Sequence, residues 1–192
     1  MIHFGSGHCI QVADQAKALK ALLESREELK DSVDAYTSEL HAVLNRFMRC
    51  KSKGSSERFC QLCEQDEDLM GHMKNILALF EYNEARVKIS PLVLYRGISG
   101  ECVEELKKMH VIRDCGFVST SREPKIAQEF GPDFVMTIIV PPREEYKMLF
   151  LNEQESEVLL PPGAIFVKCP GSENKYVYYP AGSDTSTYAE HC

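Results

Sequence analysis

The stretch Asn152-Glu153-Gln154-Glu155-Ser156-Glu157-Val158-Leu159-Leu160-Pro161-Pro162-Gly163 joins an acidic segment to an apolar one. Its pattern predicts a strand over residues 155–160. In an extended chain, Glu155 and Glu157 lie on one face, about 6.6 Å apart along the strand. Carboxylates this close repel each other, so the pair either faces water or serves a cationic site in which protons are transferred.

Two upstream segments end predicted strands in polar residues. Leu94-Tyr95-Arg96-Gly97 places an arginine at the end of an apolar strand. A partly buried arginine needs an anionic partner because an unpaired buried charge is costly, and its planar guanidinium matches a diphosphate. Gly116-Phe117-Val118-Ser119-Thr120-Ser121 ends in three consecutive hydroxyls. Each segment alone is also typical of an ordinary strand end, but the order arginine, Ser-Thr-Ser, Glu-x-Glu is far more specific than any member.

Around these segments the chain divides near Pro91 into two parts of different periodicity. Residues 1–90 have apolar residues at helical spacing and predict helical stretches over 12–23, 29–47 and 57–82. Residues 91–192 change to a period of two and predict strands over 92–98, 115–120, 134–140, 146–151, 155–160, 164–169 and 175–179. Short helices are predicted between the strands, over 101–110 and 124–130. Helices first and strands afterwards indicate an α+β fold, and we expect a single domain over 1–192.

The composition limits the function classes. Of the 192 residues, 44% are hydrophobic and 27% are charged, which is typical of a folded globular protein. The formal net charge is -7, so the overall basic character of many nucleic-acid-binding proteins is missing. No apolar run approaches the roughly 18 residues of a membrane span, and residues 1–8 lack the pattern of a classical signal peptide. We therefore expect no nucleic acid partner and no membrane span.

The cysteines give one weaker motif. Cys60 and Cys63 have the spacing of metal ligands, with Cys50 before them and His72 after them, which is compatible with a zinc site. The same spacing places two small buried residues on one helix face, and no second Cys-x-x-Cys exists. Packing is therefore favoured, and no metal is expected. The eight cysteines are predicted to be mainly reduced, with a bridge between the first and the last of them as the one candidate.

The order of Arg96, Ser119 and the two glutamates resembles the arginine–serine–glutamate signature of the mono-ADP-ribosyltransferases, both toxin-like and animal. By this resemblance, Arg96 matches the family arginine, Ser119 its serine and Glu157 its catalytic glutamate. Glu155 matches the first glutamate of the pair, which in the family goes with transfer to arginine. The likeness is firm over 92–165 and weaker in the helical half, and it includes Phe117, Ala127, Phe130, Val158–Gly163, Ala35-Tyr36-Thr37, Leu40, Leu44-Asn45 and Arg49.

The resemblance implies a split, strand-rich core over 91–192, a helical lobe over 1–90 packed beside it, and NAD in the cleft as co-substrate. Arg96, Gly97, Ser119 and Thr120 are the residues expected to bind NAD. In the family the arginine contacts the phosphate and ribose side, the glycine meets the nicotinamide amide through its backbone, and the serine orders the site.

Different roles are implied for the two glutamates. Loss of nicotinamide leaves a ribose with developing positive charge, which a preplaced carboxylate stabilises. Glu157 is expected to bind the ribose 2′-hydroxyl and to stabilise that charge, and Glu155 to orient or deprotonate an arginine acceptor. Tyr146, within an exposed loop over 143–152, is expected to meet the target protein.

The expected activity is transfer of ADP-ribose from NAD to a protein side chain, preferably arginine, with a host regulatory protein as target. Two alternatives stay open: an NAD glycohydrolase, in which water replaces the protein acceptor, and a binding module that keeps the fold without catalysis. The presence of all three signature residues argues against the binding module. The lack of Trp and of a signal peptide favours a secreted effector or toxin acting in a host cytosol over an animal ectoenzyme.

Overall fold

The first half of the chain is helical, as the sequence predicts. The computed structural model describes residues 12–55, 57–82, 86–87, 92–142, 146–152 and 156–183. None of the helices in these ranges has the length and apolar character needed to cross a membrane. The described helices of this half are α1 (Val12–Ser25), α2 (Glu27–Ala35), α3 (His41–Ser52), α4 (Arg58–Gln65) and α5 (Glu67–Leu79).

Two predicted helical stretches are divided in the structure. A π-helical turn, Tyr36–Leu40, joins α2 to α3 within the stretch predicted over 29–47. The stretch predicted over 57–82 is divided at Asp66, whose Oδ1 accepts a hydrogen bond from the backbone N–H of Leu69 at 3.0 Å. Such an N-cap begins a new helix, here α5. Because π-helical turns are frequent at functional sites, the turn between α2 and α3 is a candidate part of the functional site.

The second half contains the strands. The described elements are β1 (Arg86–Val87), β2 (Leu92–Ile98), α6 (Val103–Lys108), β3 (Val111–Asp114), β4 (Val118–Ser121), α7 (Pro124–Phe130), β5 (Phe134–Val140), β6 (Tyr146–Lys147), β7 (Leu149–Asn152), β8 (Glu157–Leu160), β9 (Ala164–Lys168) and β10 (Lys175–Tyr179). The bounds predicted for β2, α7, β5 and β10 are confirmed. Strand β3 was not predicted because only two of its four residues are apolar, too few for a visible alternation.

Eight strands form one mixed sheet in the order β3-β9-β10-β5-β2-β4-β8-β7. Strands β10 and β5 are parallel, and the remaining neighbours are antiparallel. Strands β1 and β6 form a separate antiparallel pair. The helical first half and the sheet of the second half confirm the α+β fold.

The sheet opens between β2 and β4. Strand β2 pairs with β5 along its whole length, from Leu92 opposite Val140 to Ile98 opposite Phe134. Between β2 and β4, both fully described, the register contains one pair, Tyr95 with Ser121. Beyond this pair the two strands diverge, so the side chains that follow it can border a cleft. This opening corresponds to the split core that the resemblance implies.

Two apolar clusters fix the helices and strands around this opening. One cluster is formed mainly by strand residues such as Leu94, Ile138 and Tyr176, each fully buried. The other joins the helices to the sheet, because Leu44, Ile76, Leu79 and Phe80 pack with Phe117, Leu149 and Leu159. The apolar stripes of the first half therefore serve packing, as predicted, and they hold α3 and the π-helical turn beside the cleft.

The strand predicted over 155–160 begins later than expected. Strand β8 starts at Glu157, and Ser156 lies in a turn with φ 49. A positive φ interrupts an extended chain. Glu155, which was expected to share a strand face with Glu157, lies outside the described residues.

Candidate active site

A cavity of about 280 Å³ lies where β2 and β4 diverge. The π-helical turn and α3 border it on one side and α7 on another. Five residues predicted from separate segments all line it: Arg96, Gly97, Ser119, Thr120 and Glu157. Its other lining residues are Tyr36, Thr37, His41, Asn45, Tyr95, Phe117, Ser121, Ile126, Ala127 and Phe130.

Arg96 forms part of the wall between this cavity and a second one of about 380 Å³. Its Nη2 lies 3.7 Å from Oδ2 of Asp114. Its Nη1 is buried and has no hydrogen-bond partner among the described residues. Burial lowers the pKa of the Arg96 guanidinium, and the negative charge of Asp114 opposes that effect. Because an unpaired buried donor is costly, the guanidinium is suited to an additional anion.

Asp114 is the acidic centre of this wall. Its Oδ1 accepts a hydrogen bond from Nε of Arg49 at 2.8 Å, and its Oδ2 accepts one from Nη2 of Arg49 at 2.9 Å. Burial alone would lower the pKa of Arg49, but the hydrogen bonds and the charge of Asp114 outweigh it, so the pKa is raised. One carboxylate thus faces the guanidiniums of Arg49 and Arg96, which leaves one positive charge in excess.

The wall formed by α3 is ordered by Asn45, which is 9% exposed. Its Oδ1 accepts a hydrogen bond from the backbone N–H of Phe117 at 2.8 Å, and its Nδ2 donates to the hydroxyl of Tyr36 at 3.1 Å. Gly116 leaves room for this contact, because a Cβ there would lie 2.9 Å from Oδ1 of Asn45. Tyr36, Asn45 and Ser119 line the cavity together. Burial raises the pKa of Tyr36, so its hydroxyl stays protonated at neutral pH.

The pairing of β4 with β8 brings Ser119 and Glu157 to the same cavity. Opposite each other in the register are Ser121 and Glu157, and Thr120 and Val158. Thr120 is 5% exposed, and its hydroxyl donates to the carbonyl of Val158 at 2.6 Å. Thr120 was expected to help bind NAD, but its hydroxyl donates its proton to a hydrogen bond within the sheet. Ser119 is exposed and Glu157 half-buried, so both reach the cavity.

Gly97 lets the end of α7 approach β2 closely. A Cβ at this position would lie 1.7 Å from the carbonyl oxygen of Ala127 and 2.6 Å from the backbone nitrogen of Gly131. Only a residue without a side chain lets the end of α7 come this close. The same approach places Phe130, which is 72% exposed, at the border of the cavity. An exposed aromatic ring there can pack against a flat ring of a ligand.

Tyr146 lies away from the cavity, and its prediction as a contact for the target protein is wrong. The residue is 1% exposed. Its hydroxyl donates to the carbonyl of Pro141 at 2.7 Å, and its ring centroid is 5.6 Å from that of Tyr178. Pairing with Val87 fixes it in β6. The apolar core thus holds a ring that was expected on an exposed loop.

The zinc alternative is also wrong. Cys50 and Cys60 are joined by a disulfide, which differs from the expectation of reduced thiols. Nδ1 of His72 lies 3.0 Å from Oγ of Ser32, with which it shares a hydrogen bond. In the ranges that the structure describes, no group of three or more His, Cys, Asp and Glu side chains could hold a metal ion. The terminal cysteines of the candidate bridge lie outside these ranges.

Sequence reasoning missed Asp114 and His41. His41 lines the cavity, and its ring meets that of Tyr36 edge-on with centroids 6.4 Å apart. The sequence did contain a signal for the α3 side of the site. Asn45 and Arg49 are one helical turn apart, so their polar side chains lie on the same helix face, toward the sheet. No comparable signal marks Asp114, because it ends a strand that the sequence pattern does not reveal.

Comparisons with known proteins agree with this geometry. A model of the family described as "ART: NAD:arginine ADP-ribosyltransferase" matches residues 11–177. The search of curated proteins gives no match. Exoenzyme S from Pseudomonas aeruginosa, solved with human 14-3-3 protein beta and Carba-NAD, is 16% identical with a TM-score of 0.57, covering 94% of this chain and 88% of that chain.

Two further solved structures have the same fold. C3stau2 from S. aureus with NAD is 12% identical with a TM-score of 0.57, covering 88% of this chain and 96% of that chain. HopU1 of Pseudomonas syringae pv. Tomato DC3000 is 18% identical with a TM-score of 0.51, covering 91% of this chain and 89% of that chain. Because the family match over residues 11–177 includes the whole cavity lining, the chain belongs to the NAD:arginine ADP-ribosyltransferase family and is an NAD-dependent mono-ADP-ribosyltransferase.

Proposed function

We propose that this protein transfers ADP-ribose from NAD to an arginine side chain of a target protein, with Arg96, Ser119 and Glu157 as its catalytic centre. The observation that carries the proposal is that these residues, from β2, β4 and β8, line one cavity where the sheet opens. NAD supplies the ADP-ribosyl group, and nicotinamide is the group that leaves. The helical half contributes Tyr36 and Asn45 to the same cavity, which supports one catalytic domain over 1–192.

Arg96 is proposed to bind the diphosphate of NAD. The excess positive charge of the two guanidiniums around Asp114 suits a dianionic group. The buried, unpaired Nη1 of Arg96 would gain a partner when an anion reaches the guanidinium. Gly97 would present its backbone to the nicotinamide amide, and Phe130 a ring face beside it. Thr120 supports this wall through its hydrogen bond to Val158.

Glu157 is proposed to stabilise the positive charge that develops on the ribose as nicotinamide leaves. A preorganised carboxylate in a partly water-excluded cavity can lower such a barrier strongly. The Tyr36 hydroxyl, which lines the same cavity, is ordered before the reaction by the hydrogen bond that Asn45 donates to it. Glu157 therefore acts on a wall that needs little rearrangement.

Glu155 is proposed to orient and deprotonate the acceptor guanidinium. An arginine is protonated at neutral pH and must lose a proton as its nitrogen attacks. This role follows from the resemblance of Glu155 to the first glutamate of the family pair, which goes with transfer to arginine. The solved neighbours include an ADP-ribosyltransferase named Vis in complex with agmatine, a guanidinium compound. Agmatine is therefore the acceptor of choice for a test.

The first experiment measures nicotinamide release from NAD by the wild type and by Glu157→Gln. We expect a loss of about 100-fold or more, because a group that stabilises transition-state charge is removed. Glu104→Gln is the matched control, since Glu104 is exposed on α6 and its ion pair within the described part of the chain is with Lys107. Near-normal release by a folded Glu157→Gln would contradict the proposed catalytic centre.

The second experiment separates the acceptor from the cleavage step. Glu155→Gln should lose labelling of agmatine and of lysate proteins while keeping much of its NAD hydrolysis, because only the acceptor needs that carboxylate. Equal losses of both activities would assign Glu155 to the cleavage step. Hydrolysis without labelling by the wild type would indicate that water is the acceptor.

The target is proposed to be a host regulatory protein, and the chain a secreted effector or toxin acting in a host cytosol. The solved neighbours include a toxin from Paenibacillus larvae and the exoenzyme of Pseudomonas aeruginosa in complex with a human protein. Labelled NAD added to a host lysate, with mass spectrometry of the labelled residue, tests both the target and its side chain. Labelling confined to residues other than arginine would contradict the proposed acceptor.

A further inference from the structure

Asp114 connects three elements that meet at the candidate active site. Its backbone is fixed at the end of β3, opposite Ala164, and its carbonyl accepts a hydrogen bond from the N–H of Gly163 at 2.8 Å. Its side chain is 15% exposed and holds Arg49 of α3 in a two-point contact. Its Oδ1 also accepts the N–H of Gly116, in the segment that leads into β4, at 3.0 Å. The carboxylate is thus held from several sides.

The third neighbour of this carboxylate, Arg96, is held less tightly. Nη2 of Arg96 lies 3.7 Å from Oδ2, beyond ordinary hydrogen-bond distance. Arg96 is the more buried of the two arginines, with 24% of its side chain exposed against 40% for Arg49. Asp114 therefore attracts the Arg96 guanidinium without occupying its donors, so these donors stay available to a ligand. Because Arg49 and Gly116 hold the Asp114 carboxylate in place, it can orient the Arg96 guanidinium without moving toward it.

We propose that Asp114 is a positioning residue that holds the guanidinium of Arg96 in the orientation that binds the NAD diphosphate. The inference rests on the role proposed above for Arg96. Without the carboxylate, the guanidiniums of Arg49 and Arg96 would face each other unscreened, and like charges in a partly buried wall repel. Arg96 would then leave the orientation that serves the ligand.

The experiment is a double-mutant cycle on NAD binding. The dissociation constant of Carba-NAD is measured by calorimetry for the wild type, Asp114→Asn, Arg96→Lys and the double variant. We expect Asp114→Asn to weaken binding about tenfold in the wild type and less than about twofold in the Arg96→Lys background, because the effect passes through Arg96. In steady-state kinetics, KM for NAD should rise about tenfold while kcat stays within about threefold. Glu104→Gln is again the control and should change neither.

The outcomes separate this inference from the proposed function. Equal losses of affinity from Asp114→Asn in both backgrounds would overturn the positioning role, since a merely structural role acts regardless of residue 96. Unchanged binding by Asp114→Asn, with binding weakened by Arg96→Lys, would overturn it too. Unchanged binding by Arg96→Lys would refute the role of Arg96 itself.

If Asp114→Asn does not fold, Asp114→Glu takes its place in the cycle. It keeps the negative charge but moves the carboxylate by one methylene. The expected pattern is the same, with a loss of affinity that disappears in the Arg96→Lys background. An equal loss in both backgrounds, or no loss in either, would overturn the inference.

Discussion

Replacing Asn45 by alanine is expected to destabilise the protein and to weaken its active site together. The change leaves the buried N–H of Phe117 without its acceptor and removes the bond that holds the Tyr36 hydroxyl. An unsatisfied buried donor costs about 1–3 kcal/mol and an ordinary hydrogen bond contributes about 1 kcal/mol. The free energy of unfolding should therefore fall by about 2–4 kcal/mol. For a chain of this size that corresponds to a lower Tm by roughly 6–12 °C.

The same substitution should lower catalysis in the molecules that remain folded. Tyr36 and Asn45 line the cavity together with Ser119, so losing the hydrogen bond between them loosens this part of the active site. We expect nicotinamide release to fall about tenfold, because catalytic geometry is sensitive to small displacements. The assays are urea unfolding and NAD hydrolysis, the latter at a temperature well below the Tm of the variant.

Asn75→Ala is the matched control for Asn45→Ala. Nδ2 of Asn75 donates to Oγ of Ser32 at 3.0 Å and to the carbonyl of Glu28 at 3.3 Å, on α5 and away from the cavity lining. This control should lower stability without lowering the turnover of the folded enzyme. A loss of stability below about 0.5 kcal/mol in Asn45→Ala, the range of an ordinary surface substitution, would refute the reasoning.

Three further predictions follow from the same structure. Arg96→Lys should weaken Carba-NAD binding by at least about tenfold with little change in Tm, because lysine cannot reproduce the planar guanidinium. An unchanged affinity in calorimetry would mean that Arg96 has only a structural role. Gly97→Ala should lower the free energy of unfolding, measured by urea denaturation, by about 1–3 kcal/mol, because its Cβ would lie 1.7 Å from the carbonyl oxygen of Ala127. Gly71→Ala is the control and should not destabilise the protein, because nothing lies within 4 Å of a Cβ at that position. Equal stability of these two variants would contradict the close contact of α7 with β2. Burial raises the pKa of Tyr36 above its ordinary value of 10.0, so on raising the pH the unfolded chain loses this proton before the folded protein does. The protonated Tyr36 therefore contributes fully to the free energy of unfolding below pH 10, and this contribution is lost as the pH rises further. Tyr36→Phe should therefore reduce the decline of the free energy of unfolding above pH 10, and a decline as steep as in the wild type would show that other groups cause it.

Much of the fold follows from local patterns that are visible in the sequence. Strand β5 reads Phe134–Val140 with alternating burial, and the structure gives it the predicted bounds. Helix α7 begins at Pro124, which suits a first helical turn, and it also has the predicted bounds. Such elements could be predicted because a period of two or of 3.6 residues is a property of neighbouring residues. The signature residues Arg96, Ser119 and Glu157 could be named for the same reason, since each lies in a short recognisable segment.

Other features depend on partners far away in the chain, so they were decided by the tertiary structure. Arg49 and Asp114 are 65 residues apart, and Asn45 and Phe117 are 72 apart, yet the first pair lies beside Arg96 and the second lines the cavity. The register of β2 and β4 places their divergence after Tyr95. The core around Tyr178 buries Tyr146, although its segment is polar enough to suggest an exposed loop. The sequence by itself determined which residues could do the chemistry, whereas tertiary packing decided which of them meet, because hydrogen bonds and ion pairs between distant segments form only when the whole sheet and the helices have assembled.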